Sequence, residues 1–333
     1  MTGLWRGGLA LTAALLLSAA PNPQPVAADL LLAEAPAPRL SDYRLFRDPA
    51  AKQPNARVLA YALNTPLFSD YADKHRYLFV PTGQSATYRA DGVMDFPIGT
   101  TLVKTFATPD RFIETRLLIH KASGWVAQPY VWNADGTEAV LKRAGAMVPV
   151  QMPTPAGSKA IDWTVPNVNQ CKGCHAQGRD MVPIGPTAWN LGRSRLRQWA
   201  RRGLLLGVPR VLPDVPRWND ASAHLDVRAR AYLAVNCAHC HSSSGPASNS
   251  GLFLDFGQAD QVVSGIGKRP VAAGRGSGDR EFAIVPGQPD RSILAYRIES
   301  TEPGVLMPEL GRTLTHAEGL ALVRAYIAAM PPQ

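Results

Sequence analysis

The chain has few cysteines and, beyond its first residues, no long apolar run. Its 333 residues include only four cysteines, too few for a disulfide scaffold. No stretch after residue 28 reaches the roughly 18 consecutive apolar residues of a membrane span, so we expect none in the mature form. Hydrophobic residues make up 46% of the chain and charged residues 18%. This composition excludes wholesale disorder, collagen and coiled coil.

The first 28 residues have the layout of a secretory signal peptide. Arg6 precedes a 12-residue apolar run at 9–20, and the small residues 26–28 precede Asp29. We therefore expect a cleaved leader over 1–28 and a periplasmic mature protein, with an uncleaved anchor as the alternative. Loss of Arg6 changes the net charge from +9 to +8. An exported basic protein suits acidic partners or anionic lipid, and nucleic acid is not expected.

The mature chain divides by composition into four parts. Residues 29–56 form a Pro- and Ala-rich lead-in, and residues 57–165 are β-rich, with strands expected at 101–107, 111–119 and 125–132. In the second strand Ile113, Leu117 and Ile119 share a face. Helices are expected at 195–206, 224–235 and 315–329, the last opened by a capping box of Thr315 and Glu318. The third and fourth parts span residues 166–222 and 223–333.

All four cysteines fall in one pattern that occurs twice. The motifs are Cys171-Lys172-Gly173-Cys174-His175 and Cys237-Ala238-His239-Cys240-His241. This C-x-x-C-H signature is the attachment site of c-type haem. The two thiols can each form a thioether with a haem vinyl group, and the following imidazole can bind the iron. The sequence predicts two covalently bound haems, with His175 and His241 as iron ligands.

Paired cysteines have three other common uses. A single zinc site expects the pairs about 15–20 residues apart, whereas 62 residues, 175–236, lie between them here. A thioredoxin-like dithiol needs a βαβ context, which neither motif has. A disulfide within each pair would close so short a loop that it would add little stability. Haem is therefore the favoured interpretation.

The sixth iron ligand is predicted only for the second motif. Met307 lies in the loop 304–311, before the expected terminal helix. A thioether ligand opposite a histidine raises the reduction potential of the haem iron. For the first motif, Met181 follows His175 too closely to reach the far side of the porphyrin. Nothing in the surrounding sequence supports the other candidates for this ligand, which are Met147, Met152, His120 and His224. No helix is expected before Cys171, because Pro166 argues against one, and His239 is expected to face solvent.

Several stretches resemble known proteins. Residues 229–241, with 245–246, 284–287, 297–300 and 307–308, are similar to class I cytochrome c domains. Together with 63–70, 96–106, 167–175 and 183–186, residues 40–330 resemble an exported diheme c-type cytochrome family, catalogued as the SO-type diheme cytochrome or conserved hypothetical group. The resemblance implies haem c binding and electron transport. It assigns the haems to Cys171, Cys174, His175, Cys237, Cys240 and His241, with Met307 as a further iron ligand.

These observations together predict an α+β protein, with an N-terminal antiparallel β-rich domain followed by an all-α cytochrome c-type haem domain. The expected function is to carry electrons between redox partner proteins, of which acidic ones would suit the charge, with no catalytic residue assigned. An arginine-rich stretch over 193–217 is either a solvated helix face, a docking patch or a partner for haem propionates. The alternative function is a peroxidase-like diheme enzyme with an open coordination position at the first haem.

Overall fold

The structure is a computed structural model that describes residues 24–48, 50, 53–272 and 274–332. The expected leader falls mainly on residues 1–23, which lie outside this range. Its last residues lie inside it: Ala27 is 7% exposed, and its N–H donates to the carbonyl of Tyr43 at 2.9 Å. Cleavage after Ala28 stays a prediction.

The described residues form fourteen strands. They are β1 Phe46–Asp48, β2 Gln53–Pro54, β3 Val58–Tyr61, β4 Asp73–Phe79, β5 Ala86–Thr87, β6 Thr101–Ala107, β7 Phe112–Lys121, β8 Gly124–Trp132, β9 Ala139–Leu141, β10 Ala146–Thr154, β11 Gly157–Val165, β12 Ala176–Gln177, β13 Asp180–Met181 and β14 Leu205–Leu206. The largest element of the fold is a six-stranded antiparallel sheet, ordered β3-β4-β6-β7-β8-β9. A separate hairpin pairs β10 with β11, and short pairs join β1 to β2 and β12 to β13.

Seven α-helices are found in the described residues. They are α1 Ala28–Leu32, α2 Val168–His175, α3 Ala188–Leu191, α4 Arg193–Arg201, α5 Leu225–Asn236, α6 Ile293–Glu299 and α7 Ala317–Ala328. None of these helices is long and apolar enough to cross a membrane. The 3-10 turns lie at Leu40–Tyr43, Ser248–Ser250, Gly274–Ser277 and Pro289–Arg291.

The central sheet is covered on both faces. Leu117 and Ile119 of β7 pack on one face with residues of the lead-in, including Leu31 and Tyr43. On the other face Leu118 packs with helices α3 and α4. Ile113, expected beside Leu117, joins a different cluster with the β10–β11 hairpin. The register shift between Phe106 and Ala107 leaves Ile113 out of the pairing, because Ala107 pairs with Phe112 and Phe106 with Glu114.

The expected fold class is wrong in its second half. The described residues contain no clear all-α cytochrome c domain. Between the end of α5 and the start of α6 the residues that the structure describes form only 3-10 turns, loops and isolated bridges such as Ile266–Ile284. The part around the first motif packs on the sheet, and β14 pairs in parallel with β5. Glycine- and proline-rich loops therefore replace the helices that an all-α domain would need.

All three expected helices are present with shifted bounds, that expected at 224–235 being α5, and one cap is wrong. The expected helix at 195–206 is α4, which ends at Arg201 because Leu205 and Leu206 pair with β5. The terminal helix α7 begins after His316, and no side chain caps it. Thr315, expected in a capping box, instead donates its hydroxyl to the carbonyl of Glu299 at 2.8 Å.

Candidate functional site

The first motif lies on a short, capped helix. Helix α2 begins after Asn167, whose side chain accepts from the N–H of Gln170 at 2.8 Å, while the Gln170 side chain accepts from the N–H of Asn167 at 2.9 Å. This reciprocal cap explains how a helix starts directly after Pro166, where none was expected. Cys171 is 7% exposed and packs against the sheet. The N-x-x-Q pattern was the sequence signal that could have found this helix.

The imidazole of His175 is oriented by a backbone contact. Its Nδ1 donates to the carbonyl of Val182 at 2.7 Å, so Nε2 carries the lone pair. Histidines that bind metals commonly donate their other N–H to a carbonyl in this way. Burial lowers the pKa of His175 to about 4, which keeps the ring neutral at physiological pH. A neutral ring with a free Nε2 is the form that can bind iron.

The second motif begins where α5 ends. Cys237 follows α5 as its C-cap, and a tight turn brings the N–H of His241 to the carbonyl of Cys237 at 2.9 Å. The hydroxyl of Ser250 donates to the carbonyl of Ala247, so its oxygen accepts from Nδ1 of His241 at 3.3 Å. The Nε2 of His241 is therefore the nitrogen that remains available.

The two motifs are in contact. The thiol of Cys240 lies 3.8 Å from the carbonyl oxygen of Gly173, and all four cysteines are free thiols. Contact with the Cys240 thiol and with His239 lowers the pKa of Cys174, and the same thiol contact raises the pKa of Cys240. The expectation that His239 faces solvent is wrong, because its Nδ1 is buried without a partner among the described residues.

A cavity of about 460 Å³ lies over the second motif. Its volume is in the range of cofactor pockets. Cys237, Cys240, His241 and Met307 all line it, and Cys174 of the first motif reaches its edge. Most of the remaining wall is apolar, supplied by Leu252, Leu254, Leu294, Ile298 and neighbouring residues. The structure thus brings the predicted His and Met ligands of the second site to one cavity.

Arg312 anchors the loop that carries Met307. This guanidinium is 7% exposed and donates to the carbonyl of Met307 from Nε at 3.1 Å and from a terminal nitrogen at 2.8 Å. Its other acceptors are the carbonyls of Arg297, Ile298, Ser300 and Leu314. The N–H of Met307 also donates to the carbonyl of Arg297 at 2.9 Å. Arg312 was not predicted from the sequence, because an isolated arginine belongs to no recognisable motif.

The segment 63–70 connects this loop and both motif regions to the β-rich part. The carboxylate of Asp70 accepts from the N–H groups of Thr313 at 2.8 Å and Leu314 at 2.7 Å. The N–H of Phe68 donates to the side chain of Asn236, the last residue of α5, at 2.8 Å. The N–H of Thr65 donates to the side chain of Asn190 at 2.8 Å. One short segment therefore positions the surroundings of both motifs.

The candidates for a sixth ligand at the first motif are scattered over the structure, although Met181 pairs with Ala176, the residue after His175. Met147 is 66% exposed, Met152 is fully buried beside the β10–β11 hairpin, and Met181 packs against the sheet. His120 stacks on Trp125 with ring centroids 4.6 Å apart, and His224 is exposed before α5. None of these five side chains lines the described cavity.

The residues of the second motif fit a covalently bound porphyrin. They offer two thiols, an imidazole with a free Nε2 and a thioether around one apolar cavity. Among the described residues there is no group of three or more His, Cys, Asp or Glu side chains that could hold a metal ion by itself. A porphyrin iron needs only one or two protein ligands. No family model, curated protein or solved structure matches the chain.

Proposed function

We propose that the chain is a diheme c-type cytochrome that carries electrons between redox partners. The observation that carries the proposal is the convergence of Cys237, Cys240, His241 and Met307 on one apolar cavity that the first motif also touches. The resemblance to exported diheme cytochromes supports it from the sequence side. Bound haem would supply a reversible one-electron iron couple.

Each protein group has a defined task in this proposal. The thiols of Cys171, Cys174, Cys237 and Cys240 attach the porphyrins as thioethers, and His175 and His241 bind iron through Nε2. Their Nδ1 contacts fix the ring orientations. The sulfur of Met307 would be a further iron ligand at the second site, where a thioether would favour the ferrous state. Apolar residues supply most of the cavity wall.

The contact between the motifs favours an electron carrier with two centres. Because the Cys240 thiol lies 3.8 Å from Gly173, the two attachment sites are side by side rather than in separate lobes. The exposed arginines of α4 and the loop after it offer a basic surface for an acidic partner: Arg197, Arg201, Arg202, Arg210 and Arg217. These residues take no part in the buried cavity.

Mass spectrometry tests the attachment. The chain, purified from a host that matures c-type cytochromes, should carry two haem increments, and unmodified thiols or bound zinc would contradict the proposal. Optical spectra with carbon monoxide or cyanide then separate carrier from catalyst. Two haems that resist both ligands support electron transfer, whereas one readily ligated haem would favour a peroxidase-like enzyme.

A further inference from the structure

Helix α4 and the loop after it carry many arginines and no acidic residue. Residues 181–213 include six arginines and no aspartate or glutamate. Among the described residues only one of the six, Arg193, has an ion pair, in which it contacts Asp214 at 3.1 Å. Four others are exposed: Arg197, Arg201, Arg202 and Arg210. Four positive charges therefore face solvent without a carboxylate from this stretch of the chain.

Helix α4 presents two of these arginines on its outer side. Arg197 and Arg201 are four residues apart, so their side chains lie on one face of the helix. Leu196 and Trp199 are the buried residues of this helix and point the other way. They belong to the same core cluster as Cys171 of the first motif. The arginines thus lie on the solvent side of a helix whose inner side packs in the core of the first motif.

The loop that follows runs back along this helix. The N–H of Leu204 donates to the carbonyl of Trp199 at 2.9 Å, near the end of α4. At the other end of the helix, Nε of Arg193 donates to the carbonyl of Leu212 at 3.2 Å. Residues 204–212 are therefore held at both ends of α4, and the exposed side chains of the loop belong to the same surface as those of the helix.

Two exposed apolar side chains stand among these charges. Val211 is 84% exposed, the highest value among the large hydrophobic residues that the structure describes, and Leu206 is 56% exposed. Their neighbours Leu205 and Leu212 are buried, so the backbone that carries the two exposed side chains is held to the core. Pro209 further restricts the loop, and a restricted loop loses little conformational entropy when it binds.

The combination of charge and exposed apolar groups fits an anionic bilayer better than an acidic protein. Apolar hot spots of protein interfaces fill well-packed pockets on the partner, whereas Val211 protrudes from a loop. An anionic membrane has negative headgroups above an apolar interior, so one surface satisfies both features. Each arginine held near such a surface strengthens binding about fivefold, and each buried methylene group strengthens it about fourfold.

We infer that this surface, which we call the basic apolar patch, binds a membrane of anionic lipid, with the arginines at the headgroups and the two apolar side chains below them. The patch consists of Arg197, Arg201, Arg202, Leu206, Arg210 and Val211. The inference rests on the proposed function only in taking this surface as the docking side of the protein, and it replaces an acidic protein there by lipid. The core around the first motif then lies next to the bilayer.

Flotation of the haem-loaded protein with vesicles measures this binding. Wild type should float with vesicles of phosphatidylcholine and phosphatidylglycerol but not with phosphatidylcholine alone. Salt at about 1 M should release most of it, because the Debye length falls to about 3 Å. Arg197→Gln combined with Arg201→Gln should bind about 25-fold more weakly. The matched control, Arg57→Gln combined with Arg143→Gln, removes the same charge from exposed positions outside the patch and should bind nearly as wild type does.

The apolar side chain separates lipid from an acidic protein as the occupant. Val211→Ser should bind the anionic vesicles about tenfold more weakly, since roughly two carbon groups are lost from the apolar layer. Val262→Ser, at a valine that is 58% exposed in another loop, should bind as wild type does. Soluble polyglutamate, which offers charge without an apolar layer, should bind Val211→Ser and wild type equally.

Four results would overturn the inference. They are wild-type vesicle binding by Val211→Ser, equal losses in the control variants, equal flotation with phosphatidylcholine alone, and no flotation at all. The first of these would mean that the patch reads charge only, as it would on an acidic protein. Haem content, measured by mass spectrometry on the same preparations, tests the proposed function separately. A chain that carries two haems and ignores the vesicles contradicts only the lipid inference, whereas a chain without haem contradicts the proposed function.

Discussion

Replacement of Arg312 by Ala should destabilise the protein more than almost any other single change outside the haem attachments. The guanidinium has six carbonyl contacts at five residues. Its Nη2 serves four of these contacts with only two hydrogens, so Nε, Nη1 and Nη2 supply about four simultaneous bonds. At roughly 1.5 kcal/mol for each bond from a charged group, we expect the free energy of unfolding to fall by about 6 kcal/mol.

Denaturant unfolding followed by circular dichroism measures this loss. Arg312→Lys keeps the charge but not the planar fork, so about half of the loss is expected. Arg324→Ala is the matched control, because that arginine pairs with Asp290, whose side chain is 80% exposed. Exposed pairs contribute about 0.2–1 kcal/mol. A loss in Arg312→Ala no greater than in Arg324→Ala would refute the view that these carbonyl contacts hold the Met307 loop.

Three further predictions concern the cavity and one buried histidine. Met307→Ala should change the spectrum and lower the potential of the second haem only, and an unchanged second haem would remove Met307 as a ligand. Cys237→Ala combined with Cys240→Ala should yield little soluble holoprotein, because an unfilled cavity destabilises the surrounding core; normal yield would contradict this. Burial lowers the pKa of His316 to about 4, so the unfolded chain takes up a proton first as pH falls. The contribution of His316 to the free energy of unfolding is then complete above about pH 6.5 and is lost, by up to about 3 kcal/mol, toward pH 4. His316→Gln should flatten this decline in denaturant titrations. An equal slope in the variant would exclude the histidine as the source of the decline.

The parts of the site that depend only on residues close together in sequence could be predicted from the sequence. The C-x-x-C-H motifs, the strand at Thr101–Ala107 and the helix before Cys237 are all visible in short windows of sequence. The turn that leaves Nε2 of His241 free is also local, since it involves only residues 237–250, although it was not predicted. Such features need no knowledge of distant contacts, which is why a single sequence suffices for them.

The features that were missed depend on contacts between distant residues. The Asn167 cap was local and could have been found, but the contact between Cys240 and Gly173 joins residues 67 apart in sequence. The alignment of Arg76, Lys104 and Arg116 becomes visible only when the strand register places them side by side. The all-α expectation was wrong because the resemblance concerned motifs around the cysteines, whereas the described residues between α5 and α6 form 3-10 turns and loops.

This dependence leads to a last prediction, that residues 223–333 alone do not form a stable haem protein. Asp70 accepts three bonds, from the N–H and hydroxyl of Thr313 and the N–H of Leu314. At about 1.5 kcal/mol each for bonds to a charged group, their loss costs about 5 kcal/mol, which is comparable with the whole stability of a small domain. The fragment also loses Phe68, which stacks on His316 with centroids 4.2 Å apart.

Expression of the fragment beside the full chain, in a host that matures c-type cytochromes, tests this dependence. The fragment should accumulate poorly and melt well below the full chain, and full-length Asp70→Asn should melt between the two because it keeps one acceptor oxygen without the charge. Arg89→Gln, which changes an exposed pair with Asp95, serves as the control and should melt like wild type. A fragment with the haem content and melting temperature of the full chain would mean that the second motif belongs to an independent unit. The bonds from segment 63–70 would then contribute nothing to holding the Met307 loop in place.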